Sequence, residues 1–225
     1  MKQTLNNIAR GAIFPYAGHD WINIETMDGA TLALRADILK EAPFDEDGSA
    51  DWRESSARAY LNGEFLEELK AKANDGGKAI IESTIPLTAD DGTFRVESTD
   101  SVFLLSCDQY RRNRDVIEPL GRWWWTITRW SASSSYHVRD VDTDGSLGYY
   151  LACYGCRGLR PALFLSSDLL ISDDDIVTPE EAGEIMQDMA ERFGLGGVTS
   201  EDLAAGVSFL LGMLRGGDDL GKGAQ

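Results

Sequence analysis

Short alternating stretches that meet at glycine turns, with a single helix-period stretch among them, restrict this chain more than any other feature. Trp21 to Thr26 and Thr31 to Asp37 alternate apolar and polar residues around Asp28-Gly29, a dipeptide that tolerates the positive φ of a tight turn. They predict a β-hairpin. From Ser55 to about Ala73 the period changes: Leu61, Phe65 and Leu69 fall four apart with Tyr60 beside them, so one helix face is apolar. Asn74-Asp75-Gly76-Gly77 ends that helix. Lys78 to Leu87, a turn at Asp90-Asp91-Gly92, and Val102 to Ser106 return to short strands. Strands in this order, without repeated βαβ units, predict an α+β domain and not a doubly wound sheet.

After Leu159 to Ser166 the pattern changes again. Ser172 to Asp175 reads as a solvated linker that places a boundary near 168, and Thr178-Pro179-Glu180-Glu181 opens a helix with a capping hydroxyl, a first-turn proline and acids at the positive dipole end. Ala182, Ile185, Met186, Met189 and Phe193 form its stripe. Gly194 to Gly197 break it, and a second helix from near Ser200 carries Leu203, Val207, Leu210, Leu211 and Leu214 on one face. The expected organisation is a main domain over 1–168, a helical pair over 169–215 and a disordered tail over 216–225. The pair must bury its stripes either on its own domain or, through 176–215, in an oligomer or particle.

A net charge of −17 repels phosphate backbones and anionic lipid surfaces, so neither nucleic acid nor membrane is the expected partner. The first residues carry no long apolar run, which predicts no secretory leader and no membrane insertion; synthesis is expected in the cytoplasm, with association to a virion open. Three cysteines, Cys107, Cys153 and Cys156, make no disulfide framework. In an acidic chain, Arg111, Arg112 and Arg114 read as partners of nearby carboxylates. At least two of Trp123, Trp124 and Trp125 read as core.

Motifs for chemistry are weak. Asp140-Val-Asp142-Thr-Asp144-Gly145 imitates the opening of a calcium loop, but its twelfth position is Leu151 where a bidentate Glu is needed; the alternative is a hairpin turn at Asp144-Gly145. Cys153-Tyr-Gly-Cys156 is half a zinc site with no second pair. His19 and His137, the two histidines, sit in no nucleophile motif, and there is no phosphate-cradling glycine loop. No metal, cofactor or catalytic residue is therefore expected.

The 28 residues from Ser131 to Gly158 contain no Lys, Glu, Gln, Met or Trp, although these types supply 36 of the 225 residues. Ser, Tyr, Gly, Asp, Arg, Cys and His fill the gap. Tyr with Ser and Gly is a composition of recognition surfaces, where rigid rings give contact area and small residues give adaptability; a plain polar hairpin is the other reading.

Four segments together resemble one family. Asp51-WRESSARAYLNGE-Phe65 is similar to its W-x-x-S…R-x-[WY]-L-N-x-x-F helix motif, and Thr99-DSVFLLSCDQ-Tyr110 to its T-x-D-x-[IV]-F-L-L-S strand. Arg122-WWWTITR-Trp130 resembles an aromatic strand leading into a variable hairpin, and Val141-DTDGS-Leu147 with Gly158-LRPALF-Leu165 resembles V-x-x-D-G-x-L and [VL]-R-P-A-L. The family is the C-type-lectin-like variable proteins of diversity-generating retroelements, found in phages and bacteria, and the resemblance spans about Phe14 to Ser166. It implies a C-type-lectin-like fold with a C-terminal helical pair, and a non-catalytic protein whose diversified surface binds a protein or glycan target on a cell. Miscopied template adenines, chiefly in asparagine codons that keep a final pyrimidine, would never yield Lys, Glu, Gln, Met or Trp.

The resemblance implies a fixed scaffold of Trp124, Trp125, Val138, Val141, Asp144, Gly145, Leu147, Arg160, Pro161 and Ala162. The displayed ligand-binding positions would be Arg129, Ser133, Ser135, Tyr136, His137, Arg139, Asp140, Asp142, Tyr149, Tyr150, Tyr154 and Arg157, within a variable region of about 125–158. Two departures stand: Ile127-Thr128-Arg129-Trp130 replaces the usual L-R-S-P, and the helical pair lies outside the family domain. A particle-structural protein assembled by its helices is the second functional reading. A formylglycine-generating-type enzyme of related fold, needing a reactive cysteine, is the third.

Overall fold

A computed structural model describes residues 1–192 as a mixed α+β protein. The larger sheet runs in the order Ile13–Tyr16, His19–Met27, Ala30–Arg35, Pro161–Ser166 and Ile80–Ile81, with Phe103–Leu104 also on Pro161–Ser166; all its pairings are antiparallel. The expected first hairpin is His19–Met27 with Ala30–Arg35, and Gly29 takes φ +76° in its turn. The second sheet runs Leu147–Leu151, His137–Val141, Trp124–Arg129, Gly158–Leu159 and Lys40–Glu41, with one parallel contact between Trp124 and Gly158. Two further pairs are Lys2–Thr4 with Leu170–Ser172 and Ser83–Pro86 with Glu97–Asp100.

The expected helix is helical from Ser56 to Lys72, with a widened π turn over Leu61–Phe65. Ser55 caps it through the Arg58 N–H, and Leu61, Phe65 and Leu69 are buried. The widened turn carries Asn62, whose amide donates to the Val102 carbonyl at 2.8 Å while its oxygen accepts from the Ser101 and Val102 N–H groups. Asp100, fully buried, accepts the Trp52 indole N–H at 2.9 Å and the Arg58 guanidinium at 2.6 Å. The helix motif and the strand motif are thus tied by side chains that satisfy one another's buried polar groups.

The domain does not end at 168. Leu170–Ser172 pairs with Lys2–Thr4, Asp173–Asp175 form a short 3-10 turn, and Val177 bridges Ile13 through bonds of 2.8 and 2.9 Å. What reads as a linker by its charge is a closing strand and bridge, because its backbone satisfies the edge of the opening strands. A helix then runs Pro179–Arg192, capped by Thr178 and Glu181 in reciprocal hydrogen bonds. Phe193, the glycine break, the expected second helix with its stripe Leu203 to Leu214 and the expected tail lie outside the described residues. No helix among the described residues is long and apolar enough to cross a membrane.

Candidate functional site

Trp124 and Trp125 are the floor of the region between 123 and 158. Both are buried; Trp125 donates its indole N–H to the Ala42 carbonyl at 3.0 Å, and Trp124 meets Tyr110 edge-on at 5.5 Å. Arg160 lies over Trp124, wholly buried, and donates to the Arg35 and Ala36 carbonyls. Burial pushes its pKa down to about 10, so it remains a cation at neutral pH. Tyr110 reaches the hairpin turn itself, donating its hydroxyl to the Gly145 carbonyl at 2.7 Å. Trp123, by contrast, is exposed.

Beside these tryptophans in the same sheet lies the hairpin His137–Val141 with Leu147–Leu151, turning at Asp142 to Ser146 with Gly145 at φ +80°. The acidic triplet resembling a calcium loop has other uses. Asp142 accepts from the Thr143 N–H, Asp144 accepts from the Ser146 N–H at 2.8 Å, and Asp140 pairs with Arg157 at 3.0 Å. Among the described residues no three His, Cys, Asp or Glu side chains converge as a metal set.

The structure separates the twelve candidate binding residues into three groups. Ser133, Ser135, Tyr136, Tyr149, Tyr150 and Tyr154 are exposed. Arg129, His137, Arg139, Asp142 and Arg157 are half-buried. Asp140 is 2% exposed, which corrects the expectation that it faces solvent. It alternates inward on its strand, and burial raises its pKa although Arg157 opposes the shift. Arg129 is also anchored inward, with Phe94 4.3 Å from its guanidinium and the Ala50 carbonyl accepting from it. Arg139 is held by Asp90, which also takes Arg111.

The exposed tyrosines and Trp123, with the half-buried Trp130 and His137, form two groups on opposite faces of the hairpin. Tyr149 stacks on Trp130 at 4.5 Å, His137 meets both edge-on, and Tyr136 leans on His137. On the other face Tyr150, Tyr154 and Trp123 surround the Arg157 guanidinium at 4.2, 5.0 and 5.3 Å. The loops beside them are tied to the 42–50 segment by backbone bonds from Ala42 to Arg157, Asp45 to Ala152 and Ala50 to Ser135. Sequence reasoning missed Trp123, Trp130 and Leu151 as surface rings or apolar surface. Trp123 had no local signal, since it precedes a strand buried from Trp124 to Thr128 without alternation, and the Trp130–Tyr149 stack depends on register across the hairpin.

Cys153 and Cys156 are exposed free thiols within this surface, and Cys107 is buried. Burial pushes the Cys107 thiol up, the wrong direction for a nucleophile. His19, the first residue of the first hairpin, lies against Phe65, with its pKa lowered by burial and by Arg35. Elsewhere the arginine cluster finds carboxylates as expected, Arg111 on Asp90 and Asp108 and Arg112 on Glu25, while Arg114 lies 5.9 Å from the Tyr110 ring.

Residues 28–118 match a family described as a domain of unknown function (DUF6273). That span takes in the helix and strand motifs and stops short of the aromatic surface. No curated protein and no solved structure gives a significant match to the chain.

Proposed function

We propose that the chain is a non-catalytic binding protein, in which a C-type-lectin-like scaffold of the retroelement-variable type displays a ligand surface built on the 137–151 hairpin and the loops beside it. One observation carries the reading. Among the described residues nine large apolar side chains are exposed, and six of them, Trp123, Tyr136, Tyr149, Tyr150, Leu151 and Tyr154, fall in this one region. Clustered exposed rings on a rigid base are a signature of recognition surfaces, because tyrosine buries much area at little entropic cost. The missing residue types between Ser131 and Gly158 support the same reading, since they are those the family's diversification cannot produce.

A variant with Tyr136, Tyr149, Tyr150 and Tyr154 replaced by Ala tests it. The expected loss of stability is about 2 kcal/mol, as exposed side chains contribute roughly 0.5 kcal/mol each. Trp125→Ala, by comparison, should cost about 3–5 kcal/mol. Arrays of cell-surface proteins and glycans are then probed with both forms. Binding by the parent that the tyrosine variant loses supports the proposal; a variant that unfolds, or that binds unchanged, overturns it.

A further inference from the structure

Most sheet edges in the described residues are short or blunted. Lys40–Glu41 is two residues long and charged, Ile80–Ile81 is equally short, Ile13–Tyr16 carries Pro15 and a bridge to Val177, Ser83–Pro86 ends in proline, and its partner Glu97–Asp100 begins and ends in acid. These are the devices by which proteins prevent edge-to-edge pairing. Leu147–Leu151, the other outer strand of the five-stranded sheet, reads Leu-Gly-Tyr-Tyr-Leu, with no charge, no proline and no bulge against its neighbour.

Its free side can be assigned. Backbone bonds at Asp142 to Ser146 and at Ala152 to Tyr136 bracket the ladder, so in an antiparallel register Gly148 and Tyr150 bond inward. Leu147, Tyr149 and Leu151 then turn their backbone groups outward. The Leu151 carbonyl is used by the Tyr154 N–H at 3.0 Å, while no described residue meets the N–H or carbonyl of Leu147 or Tyr149. Aromatic groups stand on both faces of this open edge, Tyr149 with Trp130 on one and Tyr150 with Tyr154 on the other.

We propose that the ligand of this surface is a protein that adds an extended segment, neutral or basic, as a further strand along Leu147–Leu151. This rests on the binding-surface reading above and names its partner. Main-chain bonds give such a mode its affinity, and alternate side chains entering the flanking aromatic groups give specificity. Charge selects the occupant: the edge has no ionic group, Arg139 and Arg157 are already neutralised by Asp90 and Asp140, and a second copy would bring −17 against −17.

Linear peptides selected from a displayed random library against the full chain serve as the probe, with amide hydrogen exchange at Leu147 and Tyr149 as the readout. Bound peptide should slow exchange at both amides at least about tenfold. Tyr149→Pro, which removes one outward donor, should weaken peptide binding at least about tenfold more than Tyr149→Ala. If the proline variant does not fold, the exchange measurement decides alone. A selection without linear binders, or binders that leave both amides unprotected, overturns strand addition. If those binders are nevertheless lost in the four-tyrosine variant, the binding surface stands without it. Protected amides with binding that tolerates that variant leave strand addition standing and remove the aromatic reading. Protection in the free chain overturns the proposal, in favour of a second copy if the mass doubles and of this chain's own residues if it does not.

Discussion

Asp140→Ala separates scaffold from display at the centre of the hairpin. The Asp140 side chain is 4% exposed and that of Arg157 12%, with 3.0 Å between Nε and Oδ2. Removing one member of a buried pair costs about 3–5 kcal/mol when the remaining charge is stranded. Arg157 is not wholly stranded, because the Tyr150 and Tyr154 rings lie 4.2 and 5.0 Å from its guanidinium and part of it reaches water. Cation–π contacts of this kind retain roughly 1 kcal/mol, so the net loss should be about 2–4 kcal/mol. For a domain of this size the melting temperature should then fall by about 4–16 °C. Urea unfolding followed by tryptophan fluorescence measures it, with Arg157→Ala and the double variant completing a cycle. The double variant should be less damaged than the sum of the singles by about 1–2 kcal/mol. If Asp140→Ala lies within about 0.5 kcal/mol of the parent, or if the two changes add, Asp140 is a free surface position and its assignment to the scaffold fails.

Two further predictions follow from the same region. Burial alone would raise the Asp90 pKa, but hydrogen bonds from Arg111 and Arg139 hold it below its ordinary value. A carboxylate with a depressed folded pKa contributes stability that is present above its unfolded value and lost as pH falls through the folded one. The stability difference between the parent and Asp90→Asn should therefore be full at pH 7 and shrink below about pH 4; urea midpoints that differ equally at all pH values would refute this. Gly145→Ala places a Cβ 3.1 Å from the Tyr110 hydroxyl and 3.2 Å from Pro119 at φ +80°, whereas Gly92→Ala meets nothing within 4 Å at φ +76°. Both should pay about 1 kcal/mol for the left-handed backbone. Gly145→Ala should lose about 1 kcal/mol more by disturbing the hydroxyl bond to the turn, and equal thermal melts would refute that contact.

Alternation and turn chemistry were legible because they are local. The hairpin at Asp28-Gly29, the helix stripe Leu61, Phe65 and Leu69, the cap at Thr178 and the turn at Asp144-Gly145 each depend on residues a few places apart. That at least two of Trp123, Trp124 and Trp125 are core was legible from their size, whereas the choice of Trp124 and Trp125 was only implied by the resemblance.

What depends on residues distant in sequence was decided only in three dimensions. The chain's acidity suggested a linker at Ser172 to Asp175, but the domain closes there because Lys2–Thr4 offers an edge 170 residues away by register. Asp140 looked like its polar neighbours Arg139 and Asp142, yet the pleat turns it inward, and only the meeting with Arg157 makes its burial affordable. The sequence by itself determined the periods, the turns and the unusual composition of Ser131 to Gly158, because each is set by neighbouring side chains and backbone preference. The tertiary structure alone decided which rings are displayed, which charges are spent inside and which strand edge stays open, because these follow from register and packing between distant segments, where desolvation and pairing outweigh local preference.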